Sequence, residues 1–199
     1  MDAAFWNDRF ATRDYVYGME PNDFVVAAAP AIPPGPVLCL AEGEGRNAVW
    51  LASRGRRVTA VDQSAVALNK AQQLAAAKSV TIETIVADLS AYRITPGAWS
   101  GIVSVWGHFP PALRRATHAQ VVQGLGPGGV FILEAYTPAQ FAFDTGGPRS
   151  IDMLMTAAQL REELAGLDFD ILREMERDVS EGTKHTGRAA VVQVLARRS

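Results

Sequence analysis

The sequence contains a single cysteine in 199 residues, which excludes an internal disulfide. Its three histidines form no zinc-like cluster, and no run of about 18 apolar residues is present that would predict a membrane span. A formal net charge of −2 gives no electrostatic basis for binding nucleic acid or an anionic membrane. The first ten residues, MDAAFWNDRF, are charged and lack the apolar stretch of a signal peptide. We therefore expect a protein of the reducing cytoplasm, without metal, nucleic-acid or membrane partners.

The composition is that of an ordinary globular protein. Apolar residues make up 48% of the chain and charged residues 20%, a balance typical of chains that fold around one core. A length of 199 residues suffices for one domain with a sizeable core, and no repeat or low-complexity tract interrupts it. We therefore predict a single domain over residues 1–199.

The most informative stretch covers residues 34–64, PGPVLCLAEGEGRNAVWLASRGRRVTAVDQS. It begins with an apolar run at 37–41, which ends in a glycine turn at 43–45. A stretch with helical spacing follows at 46–53, and a second apolar run at 58–61 ends in Asp62. This order predicts a strand, a loop, a helix and a second strand, which together form the βαβ unit that binds nucleosides.

Each part of this unit suits a nucleoside ligand. Gly43 and Gly45 allow backbone N–H groups to approach a ligand closely, because no Cβ intervenes. The helix after Gly45 directs the positive end of its dipole toward the same place, and Asp62 can accept two hydrogen bonds from a ribose diol. The pattern Gly43-x-Gly45-x-x-Ala48 is short, and the alternative is a tight turn that holds no ligand.

Further strands and helices follow along the chain. Ser64 is placed to cap a helix that runs to about residue 78. Apolar strands are predicted at 80–87, 99–106 and 130–136, helices at 110–124 and 157–164, and a turn at 125–129. Asp88 closes its strand as Asp62 does, so both acids are expected at one rim of a parallel sheet. Asp88 then contacts an adenine amine or caps the next turn.

The end of the chain predicts an antiparallel hairpin. Two extended runs, 168–179 and 188–196, are joined by a loop too short for a crossover helix. Together with five parallel strands they give an α/β fold with a doubly wound, seven-stranded mixed sheet and helices on both faces. If the sixth strand is parallel to the first five, His185 lies on the ligand side.

Aromatic residues crowd the start of the chain, at Phe5, Trp6, Phe10, Tyr15 and Tyr17. We predict a short helix, a Tyr-rich loop and a second helix over 22–31 that is capped by Asn22. This helical lid covers the ligand, or its aromatic rings pack the segment on the sheet, which is the better interpretation of Phe5 and Phe10. Candidates for contact with a substrate are Trp6, Arg9 and Tyr17, with Tyr136 at the end of the fifth strand.

The sequence resembles class I S-adenosylmethionine-dependent methyltransferases over nearly its whole length. The segments in question are VLCLAEGEGRN, VTAVDQS, VADLS, GIVSVWGHFPP, LGPGGVFILEAY and the terminal hairpin. It is most similar to small single-domain enzymes of the tellurite-resistance and thiopurine-methyltransferase type, which share FWNDRF…YVYGMEPN, EGRNAVWLA and VDQS. The resemblance implies the strand order 3-2-1-4-5-7-6 with strand 7 antiparallel, and S-adenosylmethionine as cofactor with S-adenosylhomocysteine as product.

The resemblance also implies roles for particular residues. The cofactor-binding positions that it transfers to this sequence, together with their chain neighbours, are Glu42, Gly43, Gly45, Asp62, Gln63, Asp88, Leu89, Val105 and Trp106. Asp62 corresponds to the ribose acceptor, Asp88 to the adenine contact, and Val105 and Trp106 to the strand end beside the sulfonium. The family pattern V-L-D-x-G-x-G-x-G is altered here. Cys39 replaces the acid and Ala41 the first glycine, so that Glu42 is the acid expected to hold the ligand's amine.

Methyl transfer from a sulfonium needs alignment and the exclusion of water more than acid–base chemistry. Aromatic faces such as Trp106 favour the positive sulfur. A thiolate acceptor needs no strong base, whereas a hydroxyl or amine does, and His108 or His185 is then the expected base unless each is a turn residue. Arg9, Arg46 and Arg149 are candidates for an anionic group, and His118 is expected on the surface.

The resulting prediction is a methyltransferase for a small-molecule acceptor such as a thiol or a chalcogen oxyanion, acting as a monomer or homodimer. Its parts are a lid at 1–32, a nucleoside-binding core at 33–136, and a substrate loop, helix and hairpin at 137–199. Two alternatives stay open: an NAD(P)-dependent oxidoreductase, because Gly-x-Gly-x-x-Ala and Asp62 also fit a dinucleotide, and a non-catalytic nucleoside-binding module.

Overall fold

The computed structural model describes residues 2–143 and 145–199, so that Met1 and Asp144 lie outside the description. The strands are β1 Pro36–Leu40, β2 Arg57–Asp62, β3 Glu83–Val86, β4 Trp99–Val105, β5 Leu125–Tyr136, β6 Asp168–Glu181 and β7 His185–Arg197. They form one sheet in the order β3-β2-β1-β4-β5-β7-β6. β7 is antiparallel to both of its neighbours, and the other pairs are parallel. The predicted seven-stranded mixed sheet and its strand order are confirmed.

Within residues 2–143 and 145–199, six α-helices flank the sheet: α1 Ala3–Phe10, α2 Asp23–Ala28, α3 Arg46–Ser53, α4 Ala65–Ala77, α5 Pro111–Gly124 and α6 Ala157–Glu163. The predicted caps are confirmed, because the side chain of Asn22 accepts a hydrogen bond from the Val25 amide and that of Ser64 accepts one from Ala67. The segment after α2, Ala29–Ala31, is a 3-10 turn that includes Pro30, so the second helix ends before residue 31.

The sheet has a hydrophobic core on each face. On β1, Val37 and Cys39 pack with residues of α2, α3 and α4, whereas Leu38 and Leu40 pack on the opposite side with residues of α5 and α6. Because both faces are covered, the strand is apolar at consecutive positions rather than at alternate ones. This explains the continuous apolar runs that mark the parallel strands in the sequence.

Two further predicted boundaries are wrong. Residues 125–129 were expected to form a turn but belong to β5, where the register with β4 shifts between Trp99 and Gly101. Gly128, with φ 72°, allows the irregular backbone of this bulge. The third strand is shorter than the predicted 80–87, because the Val80 amide closes the end of α4 on the Ala75 carbonyl at 2.9 Å.

The terminal hairpin reaches the carboxyl ends of the parallel strands. β6 and β7 are antiparallel to each other, as predicted, and only residues 182–184 join them. β6 runs in the same direction as β1 to β5, so the turn of the hairpin lies at the same rim as the end of β2. His185, the first residue of β7, is therefore placed on that rim.

The prediction that His118 lies on the surface is wrong. His118 is buried, and its Nδ1 lies 2.7 Å from Oε2 of Glu163 in α6. The same carboxylate receives two nitrogens of the buried Arg114, which also donates to the Asp152 carbonyl at 3.0 Å. The ion pair and its hydrogen bonds hold the pKa of Glu163 at about 2, against the opposing effect of burial. The cluster fixes α5 to α6 and to the segment before α6.

Within the described residues, no helix combines the length and the apolar character that crossing a membrane requires. The histidine, cysteine, aspartate and glutamate side chains of the same residues include no group of three that could hold a metal ion.

Candidate functional site

The glycine loop lies between β1 and α3, at the carboxyl ends of the parallel strands. Its residues Ala41, Gly43 and Gly45 have φ values of 49°, 62° and 88°, a left-handed conformation that strongly favours glycine. A Cβ at Gly45 would stand 2.5 Å from the Cβ of Ala71 in α4, so the loop packs on that helix too closely for any other residue. A Cβ at Gly43 would make only an ordinary contact with the ring of Phe10.

Asp62 ties this loop to the end of β2. Its Oδ2 accepts a hydrogen bond from the Gly43 amide at 2.9 Å, and its Oδ1 accepts one from the Ser64 amide at 2.8 Å. Burial raises the pKa of Asp62, and the bonds from Ser64 and Gly43 partly offset this effect. The Asp62 carbonyl accepts from the Ala87 amide at 2.9 Å, so the ends of β2 and β3 lie side by side. Gln63, the next residue, is half-buried.

Asp88 lies at this rim but is exposed. Its Oδ1 accepts a hydrogen bond from the Ser90 amide at 2.7 Å, which lowers the pKa of the carboxyl group. The side chain therefore caps the following turn, one of the two roles expected from the sequence. Leu89 points the other way and is buried in the core beneath the rim.

Glu42 occupies the start of α3. Its Oε1 accepts a hydrogen bond from the Ala48 amide at 2.7 Å, and its own amide donates to the Val61 carbonyl at 3.2 Å. Burial is the main cause that raises the pKa of Glu42 to about 7, although the bond from Ala48 and the charge of Arg46 oppose it. The acid that the sequence lacks at Cys39 is thus present three residues later, and it serves as a cap for the helix.

A cluster of aromatic rings extends from the glycine loop to the end of β5. We refer to it as the aromatic cluster: Trp6, Phe10, Tyr17, Trp106, His108, Tyr136 and His185. Trp106 follows β4 with a φ of 56°, which is uncommon for a residue other than glycine. Its indole stacks on Tyr136 with 4.3 Å between ring centroids, and its edge approaches His185 at 5.1 Å. Val105, just before it, is buried.

Two buried polar atoms in this cluster have no hydrogen-bond partner among the described residues. They are Nδ1 of His185 and the hydroxyl oxygen of Tyr136, and the two rings are 5.4 Å apart. Burial lowers the pKa of His185 to about 3. Burial is also the main cause that raises the pKa of Tyr136, and the negative charges of Glu181 and Glu134 raise it further. Both groups are therefore neutral near pH 7, and buried polar groups of this kind normally have a partner.

His108 lies in the same cluster, yet both of its ring nitrogens contact the backbone. Nδ1 is 3.0 Å from the Trp106 carbonyl, and Nε2 accepts a hydrogen bond from the Tyr136 amide at 3.0 Å. Burial lowers the pKa of His108 to about 4. These bonds join the ends of β4 and β5 and leave neither nitrogen for a substrate proton, so the geometry favours the turn role over that of a base.

The N-terminal segment reaches this rim and is held there by the terminal hairpin. The Val16 carbonyl accepts a hydrogen bond from the Thr183 amide at 3.0 Å. A Cβ at Gly182 would stand 2.3 Å from the Val16 carbonyl oxygen, so only glycine fits at this position. On the other side of the segment, Lys70 of α4 pairs with Glu44 of the glycine loop and donates to the Asp14 carbonyl at 2.7 Å.

The three arginines proposed for an anionic group have different surroundings. Arg9 is half-buried, and its Nη1 lies 3.4 Å from the hydroxyl of Tyr17. Arg46 is buried and forms an ion pair of 2.5 Å with Glu181, so its charge is already compensated. Arg149 is exposed. Of the three, Arg9 is the one that lies against the aromatic cluster with no carboxylate partner within the described residues.

Sequence reasoning missed a buried polar network behind the cluster: Asn22, Arg46, Trp106, Glu134, Arg177, Glu181 and Gln193. The side-chain amide of Asn22 bridges Glu134 at 2.5 Å and Glu181 at 2.8 Å, and Arg177 donates to both oxygens of Glu134. Glu134 in the otherwise apolar β5 was the available clue, because a charge in a buried strand requires partners.

Comparison with known proteins relates this chain to methyltransferases. Residues 37–129 match the family model described as a methyltransferase domain. A 120-residue stretch is 29% identical to the 2-heptyl-1-hydroxyquinolin-4(1H)-one methyltransferase of Mycobacteroides abscessus, and it covers 59% of this chain and 53% of that protein. The chain therefore spans about half the length of this curated relative.

Two solved structures show the same fold over almost the whole chain. A protein studied for the conversion of a disulfide bond into a thioacetal group during echinomycin biosynthesis superimposes with a TM-score of 0.78 at 20% identity, covering 100% of this chain and 90% of that one. TehB from Haemophilus influenzae has a TM-score of 0.74 at 19% identity, covering 99% of this chain and 67% of that one. The comparisons therefore support a class I S-adenosylmethionine-dependent methyltransferase: residues 37–129 match a methyltransferase domain, and almost the whole chain shares the fold of these two solved structures.

Proposed function

We propose that this protein transfers a methyl group from S-adenosylmethionine to a small-molecule acceptor at the carboxyl rim of its sheet. The observation on which this rests is the pair of unpartnered polar atoms, Nδ1 of His185 and the hydroxyl of Tyr136, beside the strained Trp106. Neutral, buried and adjacent, these two atoms are suited to hold a polar group of an acceptor next to an aromatic wall.

The residues of the rim fit the cofactor. Gly43 and Gly45 give the loop its left-handed backbone, α3 begins at the loop and directs its positive end there, and the Asp62 carboxylate closes the adjacent strand. We propose that the loop glycines with Glu42 hold the amino-acid part, Asp62 with Gln63 the ribose, and Asp88 with Leu89 the adenine. S-adenosylmethionine, when bound, supplies an electrophilic methyl group.

The acid–base properties of the cluster favour an acceptor that is ionised before it reacts. His108 has both nitrogens bonded to backbone, and His185 has a pKa lowered to about 3, so that neither is a strong base near pH 7. A thiol or a chalcogen oxyanion loses its proton without such a base. The Arg9 guanidinium beside Tyr17 is a suitable counter-charge for the anion. Thiol acceptors are also consistent with the sulfur chemistry named for one structural neighbour.

A second acceptor class is an acidic hydroxyl on a planar heterocycle. The curated relative is named as acting on a 1-hydroxyquinolin-4(1H)-one, and the stacked rings of Trp106 and Tyr136 offer a flat surface for such a ring. An acidic N-hydroxyl, like a thiol, needs no strong base. Trp6, Arg9 and Tyr17 are the proposed contacts on the side of the N-terminal segment.

The test is a transfer assay with radiolabelled S-adenosylmethionine and a panel of acceptors: alkyl and aryl thiols, selenite, tellurite, small amines and a 1-hydroxyquinolin-4(1H)-one. We expect labelled product with a thiol, a chalcogen oxyanion or the hydroxyquinolone, and none with the amines. Transfer to amines alone would contradict the reasoning about the missing base. A variant on the exposed face of β6, Glu176→Gln, serves as a control that should retain full activity.

Calorimetry separates the proposed function from its alternatives. We expect S-adenosylhomocysteine to bind and NADH not to bind. Binding of NADH alone would indicate the oxidoreductase. Binding of S-adenosylhomocysteine without transfer to any acceptor would indicate a nucleoside-binding module. Sedimentation would test the proposal that the protein works as a monomer or homodimer with small-molecule partners only.

A further inference from the structure

The side chain of Glu181 connects the terminal hairpin to the residue that ends β4. Its Oε2 accepts a hydrogen bond of 2.5 Å from the indole Nε1 of Trp106, which is 75 positions earlier in the chain. This is the one polar atom of the indole, and the rest of the ring is held by stacking on Tyr136. The orientation of the Trp106 ring is therefore set by one carboxylate together with its aromatic neighbours, chiefly Tyr136 and His185.

The carboxylate itself is held firmly in place. Arg46 donates to its Oε2 at 2.5 Å, Asn22 donates to its Oε1 at 2.8 Å, and Arg177 lies 3.5 Å from Oε1. Burial alone would raise the pKa of Glu181, but the charge of Arg46 and the hydrogen bonds outweigh it, so the group is ionised. A buried charge with this many donors has little freedom to rotate.

Trp106 needs such support, because its backbone is in the left-handed region, with φ 56°. Its amide continues the ladder by donating to the Glu134 carbonyl at 2.9 Å, and its carbonyl accepts from the His108 amide at 3.0 Å. The chain turns sharply at this residue, and conformations of this kind persist where the surroundings over-determine them. They are found most often at functional sites.

We propose that Glu181 is a positioning residue for methyl transfer, holding the Trp106 indole against Tyr136 and beside the ring of His185. The inference rests on the proposed function, since the aromatic wall is useful only if an acceptor is aligned there. Glu181 acts through Trp106, whose indole donates to its carboxylate. Replacing the carboxylate by a neutral amide weakens this charge-assisted hydrogen bond and lets the indole move, and small displacements of an aligning group reduce turnover more than they reduce binding.

Three variants test this: Glu181→Gln, Trp106→Phe and the double variant, with Glu176→Gln as the matched control on the same strand. We expect Glu181→Gln and Trp106→Phe each to lower kcat for the best acceptor of the panel on the order of tenfold or more, with unchanged affinity for S-adenosylhomocysteine. Because both act on one hydrogen bond, the double variant should be no slower than the worse single variant. Additive losses, or a normal kcat in either single variant, would overturn the proposal.

An NMR measurement tests the contact without any activity. The sequence has four tryptophans, and the indole N–H signal absent from Trp106→Phe identifies that of Trp106. We expect it far downfield in the unmodified protein, and shifted upfield in Glu181→Gln but not in Glu176→Gln. An unshifted signal would refute the inference even if transfer occurs, whereas a shifted signal without transfer to any acceptor would refute the proposed function instead. If Glu181→Gln fails to fold, the kcat of Trp106→Phe is the remaining test, and a normal kcat in that variant would overturn the proposal.

Discussion

The Gly43 amide donates a hydrogen bond to Oδ2 of Asp62, and this bond of 2.9 Å joins the glycine loop to the end of β2. The two parts of the site that come from different strands are thereby fixed to each other. A nucleoside held by Asp62 would lie against the loop amides.

Replacement of Asp62 should therefore weaken cofactor binding. We expect Asp62→Ala to raise the dissociation constant of S-adenosylhomocysteine at least about tenfold, or about 1.4 kcal/mol, and Asp62→Asn to have a smaller effect because one acceptor oxygen remains. Calorimetry provides the measurement. Asp170→Ala is the control, since that residue lies on β6 and pairs with Arg197 at the surface. Unchanged affinity in Asp62→Ala would remove this residue from the binding site.

His185 and Tyr136, whose buried polar atoms lack a partner among the described residues, should be needed for turnover but not for cofactor affinity. His185→Ala and Tyr136→Phe should each lower kcat/KM for the acceptor by about fivefold to tenfold, the effect of one lost hydrogen bond, while S-adenosylhomocysteine binds as before. Tyr136→Phe is the sharper variant, because it removes only a hydroxyl. Normal rates in both variants would reduce the two residues to a packing role.

Two glycines offer a comparison of stability. Gly45 and Gly55 both have left-handed φ values, 88° and 81°, but a Cβ at Gly55 would meet nothing within 4 Å. Gly55→Ala should thus cost only the conformational term, about 1 to 2 kcal/mol, whereas Gly45→Ala also displaces α4 and should cost at least about 1 kcal/mol more. Urea unfolding measures both variants. Equal losses would contradict the close packing of the glycine loop on α4.

Stability should rise with pH between about pH 5 and pH 6.5. In the folded protein the pKa values of His108 and His185 are about 4 and about 3, below the ordinary 6.5. In this pH range both imidazoles therefore bind protons in the unfolded chain but stay neutral in the folded protein. Glu42, raised from 4.5 to about 7, has the opposite effect and holds one proton in the folded state. The net difference of one proton gives at most about 1.4 kcal/mol per pH unit.

Urea unfolding at the two ends of this range checks the sign. The free energy of unfolding of the unmodified protein should increase as the pH rises. In His185→Ala the unfolded chain binds one proton fewer, so the free energy of unfolding should be nearly independent of pH over this range. A free energy that falls with rising pH in the unmodified protein would contradict the burial of both imidazoles.

The parts of the fold that the sequence predicted are those encoded over short distances. The apolar run before Gly43, the caps Asn22 and Ser64 and the acid at Asp62 each depend on neighbours within a few positions, and the strand order followed from the family resemblance. The turn predicted at 125–129, between a helix and a strand, is wrong because glycine and proline also permit a bulge within a strand.

The polar network could not be predicted in this way. The amide of Asn22 contacts Glu134 and Glu181, which are 112 and 159 positions away, and nothing local to any of the three specifies such a meeting. His118 is a different case. The buried residues Arg114, Thr117, His118 and Val121 recur at helical spacing, so the periodicity of α5 already indicated a buried face, and the polar character of its members concealed it.

The contact of the Val16 carbonyl with the amide of Thr183 joins positions 167 residues apart. During synthesis on the ribosome, Val16 therefore emerges long before Thr183. The contact between them cannot form until the hairpin of β6 and β7 has left the exit tunnel. The contact between the N-terminal segment and the hairpin therefore forms late, and loss of β6 and β7 would leave that segment without the hairpin that holds it at the rim.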